Sequence, residues 1–124
     1  MKLKASLALA FGLLSGMAYS ATDLVIATVN NRQMVEMQKL GKFFEQANPD
    51  IKLKWLVLEE GVLRARVTTD IATKGGQFDV MTIGMYETPI WGKKGWLQEI
   101  KPDANYDIDD LLPPIRAGLS VGSK

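Results

Sequence analysis

The chain has 124 residues, 47% of them hydrophobic and 23% charged, and a net charge of +1. That length allows one domain at most, the balance is globular rather than disordered, and near-neutrality argues against the clustered basic face that nucleic acid requires. Cysteine and histidine are both missing, which excludes disulfide stapling, His-activated nucleophiles and ordinary His-ligated zinc.

Residues 1–20 read as a cleavable secretory signal. Lys2 and Lys4 form a positive start, Ala5 to Leu14 a short apolar run, and Ala18-Tyr19-Ser20 puts small residues at the cleavage motif before Ala21. The apolar run is shorter than the roughly 20 residues of a bilayer span. Cleavage after Ser20 leaves residues 21–124 with 13 basic and 14 acidic side chains, because Lys2 and Lys4 are lost and no acid is. With no cysteine to carry a lipid, the mature product is expected to be soluble in the periplasm, with no span of the membrane.

Leu24–Asn30 (LVIATVN) is apolar and β-branched, as a buried strand would be. Asn30 and Asn31 end it and suit the cap of a following helix. Over residues 32–47, Met34, Met37, Leu40, Phe44 and Ala47 recur at three- and four-residue steps, the pattern of one helix face turned to a core. Asn48-Pro49-Asp50 stops that helix. Ile51–Leu58 alternates Lys52 and Lys54 with apolar residues, then becomes fully apolar. It reads as a strand near the sheet edge that goes under cover at its carboxyl end.

After a Glu59-Glu60-Gly61 loop, Leu63, Val67 and Ile71 mark a second helix, which Gly75-Gly76 is expected to end. Phe78–Gly84 (FDVMTIG) reads as a strand covered on both faces. The β-α-β-α-β order implies parallel strands with right-handed crossovers in the order 2-1-3. Such a sheet has a topological switch between strands 1 and 3, and ligands bind at the carboxyl ends of strands there. The loops at that edge carry Asn30, Asn31, Glu59, Glu60, Tyr86, Glu87 and Trp91. Thr88-Pro89 suggests a short helix with Pro at its first position. Trp96, Leu97 and Ile100 are expected to fold back over the sheet edge. Asp109-Asp110 would cap a last helix that Pro113-Pro114 enters in its first turn.

Three stretches carry a family resemblance: ATVNNRQMVEMQKL, RVTTDIATKGGQFDVMTIGMYETPIWGKKGWL and YDIDDLLPPIRAGLSV. They run from residue 27 to residue 121 and cover about two thirds of that span. The chain resembles the amino-terminal part of an ABC-transporter extracellular solute-binding protein of family 1, in the branch that binds sorbitol and mannitol. The resemblance implies an α/β fold, here the partial first lobe of a periplasmic binding protein. It also implies a polyol or sugar ligand, a membrane permease as partner, no cofactor and no enzymatic activity. Residues 21–124 are then an incomplete first lobe, without the second lobe or the hinge that closes on ligand.

A polyol is a row of hydroxyls on an apolar carbon edge. Amides and carboxylates pair with the hydroxyls and an aromatic face packs the edge, so the seven loop residues are the right types for ligand contact. Several have a plainer role open to them. Asn30 and Asn31 suit a helix cap, one of Glu59 and Glu60 suits solvent, and Trp91 suits the core, as Trp55 and Trp96 do more strongly. Arg64 and Arg66 could reach the cleft, but a solvated helix face is the usual place for such charges. A secreted carbohydrate-active enzyme would need two of Glu59, Glu60 and Glu87 to flank one bond, which adjacent glutamates seldom do. A non-binding remnant or interaction module would instead show an exposed apolar patch.

Overall fold

The structure is a computed structural model and describes residues 20–124. Apart from Ser20, the expected signal segment lies outside the described residues. Strand β1 (Thr22–Val29) leads into helix α1 (Arg32–Ala47), β2 (Ile51–Leu58), α2 (Glu60–Thr73), the short β3 (Val80–Met81) and α3 (Glu87–Lys93). A 3-10 turn at Ile108–Asp110 and helix α4 (Pro113–Gly118) complete the order.

The three strands form one parallel sheet in the order β2-β1-β3, as the crossover argument requires. β1 pairs with β2 along its whole length, from Thr22 opposite Ile51 to Val29 opposite Leu58. β3 is far shorter than the apolar run suggests. Its pairing is extended instead by single bonds: Asp79 N–H to the Val25 carbonyl at 3.0 Å and Thr82 N–H to the Ala27 carbonyl at 3.0 Å. The Asp79 carboxylate also accepts the Val25 N–H at 2.8 Å.

Because consecutive strands step to opposite sides of β1, α1 and α2 cover opposite faces of the sheet. On the α2 face, Ala27, Leu63, Val67 and Trp91 form the buried core, with Val29, Leu58, Met81, Ile83, Trp96 and Leu97 packed around it. Each fully buried side chain of Val or Leu size contributes about 1.5–3 kcal/mol, so this small cluster holds the second helix and the third strand to the sheet.

The α1 face differs from expectation. The helix meets β2 through Gly41, its one buried residue, flanked by half-buried Gln38 and Glu45. A side chain at Gly41 would stand 3.1 Å from Leu53 and 3.5 Å from the Trp55 ring, so the missing Cβ is what allows the close approach. Glu45 strengthens it by accepting the Leu53 N–H at 2.7 Å. The stripe read as core-facing is rotated away: Met37, Leu40 and Phe44 are exposed, Leu40 by 53%, together with Val35 and Phe43. Val57 and Val80 are exposed as well, so neither β2 nor β3 is covered on both faces.

Other local expectations are corrected by backbone detail. The left-handed residue that ends α2 is Lys74 (φ 54°), with Gly76 (φ 66°) following; Gly75 is not left-handed. Gly75 is needed for another reason, since a Cβ there would collide with the Asp70 carboxylate. That carboxylate is buried and accepts the Gln77 N–H at 3.0 Å, closing the turn. In α3, Pro89 falls at the third helical position, because Glu87 and Thr88 already belong to the helix. Ile100 does not fold back; it is 88% exposed. Asp109 does not cap α4, whose start at Leu112 has no side-chain cap; it pairs with Arg116 at 2.7 Å instead. Pro113 and Pro114 do open that helix.

Candidate functional site

A cavity of about 250 Å³ opens at the carboxyl ends of β1 and β3, at the switch between their opposite crossovers. Val29, Thr82, Ile83 and Gly84 form its floor at the strand ends. Leu63, Val67 and Arg64 line it from α2, Asn31 and Met34 from the start of α1, and Glu87 and Trp91 from α3. Glu60 stands at the α2 end. Closed small-molecule sites run from about 300 Å³ upwards, so this one is small.

Local chemistry places the polar wall. At the start of α3 the Glu87 side chain turns back so that Oε2 accepts the Gly84 N–H at 3.1 Å, and Thr88 Oγ1 donates to the Gly84 carbonyl at 2.9 Å. Both side chains are buried, so these bonds satisfy groups that would otherwise be costly to desolvate. The other oxygen of Glu87 accepts from Arg64 Nε, and Arg64 Nη2 donates to Glu60 at 3.1 Å. Arg64 thus bridges a buried carboxylate and an exposed one. Its guanidinium also lies 5.9 Å from the centre of the Tyr86 ring, within cation–π range.

Of the seven loop residues, Asn31, Glu60, Glu87 and Trp91 come together at the cavity; Asn30, Glu59 and Tyr86 do not line it. Asn31 caps α1, its Oδ1 accepting the Met34 N–H at 2.8 Å, which leaves the amide nitrogen of the same side chain without a bond among the described residues. Asn30 is exposed beside it, its backbone N–H bonded to the Leu58 carbonyl at 3.2 Å. Glu59 is engaged as the cap of α2, accepting from Gly61 and Val62 at 2.9 and 3.2 Å. Tyr86 is 72% exposed. Trp91 both belongs to the core and lines the cavity, its ring 6.3 Å from that of Trp96.

Sequence favours a solvated face for Arg64 over the cleft and core filler for Met34 over a binding surface, yet both line the cavity. The signal for Arg64 was its place four residues after Glu60 and directly after the buried Leu63, which puts it at the rim of the packed face. Among the described residues, no cluster of three or more His, Cys, Asp or Glu side chains is arranged to hold a metal. No described helix is long and apolar enough to cross a membrane.

A family model of bacterial extracellular solute-binding proteins matches residues 28–122. The chain is 59% identical over 120 residues to the mannitol-binding protein of Pseudomonas aeruginosa, an alignment covering 96% of this chain and 28% of that protein. An ABC-transporter solute-binding protein from Agrobacterium vitis, solved with bound D-mannitol, matches with a TM-score of 0.74 and 61% identity. That match covers 80% of this chain and 24% of the other. A solute-binding protein from Agrobacterium radiobacter in complex with ribitol matches at a TM-score of 0.57 and 23% identity, over 62% of this chain and 19% of that one, a likeness of fold alone. The chain therefore spans about a quarter of the length of the relatives it matches.

Proposed function

The chain belongs to the bacterial extracellular solute-binding protein family, and on that premise we propose that it supplies one wall of a polyol site in a periplasmic receptor that serves an ABC-transporter permease. The observation that carries this reading is the cavity at the β1–β3 switch, where an amide, a bridged arginine–glutamate group and an aromatic side chain converge. The high identity to a mannitol-binding protein supports hexitols, mannitol or sorbitol, as the ligand class.

Each wall residue has a role in hydroxyl recognition. The Asn31 amide nitrogen and the remaining guanidinium N–H groups of Arg64 donate to ligand oxygens, the outer oxygen of Glu60 accepts from ligand hydroxyls, and Trp91 packs against the carbon edge. Glu87, fully engaged by Gly84 and Arg64, orients the guanidinium rather than touching ligand. The relatives are binding proteins of transport systems, and binding without turnover is proposed here too. Residues 21–124 are read as part of a first lobe. An open wall on a chain about a quarter as long as its relatives would meet the ligand on one side only.

A circular-dichroism melt of residues 21–124, with and without millimolar D-mannitol or D-sorbitol, tests the reading. An upward shift of the midpoint is expected, since a ligand that binds only the native state stabilises it. The shift should be small, because a ligand bound by one wall has affinity well short of a closed receptor's. A cooperative melt that polyol leaves unmoved would overturn the assignment of these contacts.

A further inference from the structure

We infer that the Glu60–Arg64–Glu87 group makes this cavity selective for neutral polyhydroxy compounds over their phosphorylated and carboxylate counterparts; the inference rests on the polyol reading above and concerns the same site. The three side chains are the only charged groups that line the cavity among the described residues. Two carboxylates and one guanidinium leave the group with a net negative charge. The single cation is already bonded to both anions, through Nε to Glu87 and through Nη2 to Glu60.

This arrangement separates two functions of an arginine. A guanidinium with no partner is a strong site for a phosphate or carboxylate, which it grips through two parallel bonds. Here the charge is compensated and the group is held by Glu87, itself fixed by the Gly84 N–H. What it still offers is N–H groups in a rigid planar array, suited to the oxygens of adjacent neutral hydroxyls. An incoming anion would meet the net negative charge of Glu60, Arg64 and Glu87 at the open rim of the cavity, a repulsion that is largest at low salt.

One feature of the cavity opposes this, the amino end of α1. Its partial positive charge is about half a unit, less than the net charge of the group, and Asn31 already accepts the Met34 N–H there. At the start of α2 the Glu59 carboxylate answers the helix dipole in the same way. At both starts a side-chain oxygen already takes part of the amide donor set an anion would use.

Binding of D-mannitol, D-mannitol 1-phosphate and D-mannonate to residues 21–124 tests the inference by ligand-observed NMR titration at low salt. D-mannitol should bind at least about tenfold more tightly than either anion, a difference modest for like charges at this range. Glu60→Gln, at an exposed position, removes one negative charge and should narrow that gap at least severalfold. Equal or tighter binding of the phosphate or the mannonate by the unaltered chain would overturn the selectivity while leaving the polyol site standing. An unchanged gap in Glu60→Gln would overturn the assignment of selectivity to this group. Failure of all three compounds to bind at millimolar concentration would overturn the polyol reading, and this inference with it.

Discussion

Arg64 and Glu87, 23 positions apart in the chain, meet as a hydrogen-bonded ion pair in which the glutamate side chain is 9% exposed and the arginine 46%. The pair ties the first half of α2 to the start of α3. The contact is unequal: Arg64 can be rehydrated if the pair breaks, whereas Glu87 would leave a carboxylate with only the Gly84 N–H as partner. Pairs of this kind contribute more through what their loss exposes than through their own attraction.

Glu87→Gln keeps the shape of the side chain and removes its charge. It is expected to destabilise the chain by about 1–2 kcal/mol, the lower range for a bond to a charged group because Arg64 is partly solvated. Urea unfolding at neutral pH measures the difference. Arg64→Met should cost at least as much, since it leaves Glu87 charged, buried and short of a partner. If Arg64→Met proved neutral, the pair would have no part in holding α3 to α2.

The end of α2 makes a second pair of opposed substitutions. Lys74 is the only non-glycine residue with positive φ among those described, and a left-handed lysine costs about 1 kcal/mol relative to glycine. Part of that is offset by the greater freedom glycine has in the unfolded chain, so Lys74→Gly should stabilise by about 0.5 kcal/mol. One position on, Gly75→Ala places a methyl group against the Asp70 carboxylate and displaces it from the Gln77 N–H. The buried carboxylate then loses its bond, at a cost of about 1–3 kcal/mol. Thermal melts of the two variants should move in opposite directions.

The outer face of α1 predicts association. Met37, Leu40, Phe43 and Phe44 are exposed side by side on one helix, a denser apolar run than single surface hydrophobes make. Sedimentation velocity of residues 21–124 should show concentration-dependent self-association. Leu40→Gln with Phe44→Gln should reduce it while moving stability by no more than about 0.5 kcal/mol, as surface changes do. Gly41→Leu, where the helix meets the sheet, should instead destabilise by about 1–3 kcal/mol, because it drives α1 off Leu53 and Trp55. A monomeric chain at all concentrations would mean the exposed face is inert.

The contrast between those two faces of α1 marks how far sequence carries. Strand order, strand direction and the extents of α1 and β2 were legible, because apolar periodicity and the chirality of crossovers depend on chain-local facts. Which side of α1 meets the sheet was not, since Gly41 sets it by what it lacks and periodicity counts only side chains that are present. The candidate site divides in the same way. Asn31, Glu60, Glu87 and Trp91 could be placed from loop position, whereas Arg64 joins the cavity through Glu60 on its own helix and Glu87 on α3. Glu59 and Glu60 were indistinguishable by type; the cap of α2 claims the first and leaves the second to Arg64.

Thr28 and Thr82 offer a test of the β1–β3 pairing just beneath the cavity. Thr28 is 0% exposed, and its hydroxyl lies 3.0 Å from that of Thr82, so each satisfies the other where water has little access. Thr28→Val keeps the volume and removes one partner, leaving the Thr82 hydroxyl partly buried and unpaired. That single change should destabilise by about 1–2 kcal/mol. Thr28→Val combined with Thr82→Val removes both polar groups together and should recover most of the loss, since two matched apolar groups leave nothing unsatisfied. Chemical denaturation of the four members of the cycle gives the coupling directly. A double variant as unstable as the sum of the singles would show that the two hydroxyls act independently, and that β3 is held at Thr82 by its backbone bond to Ala27 alone.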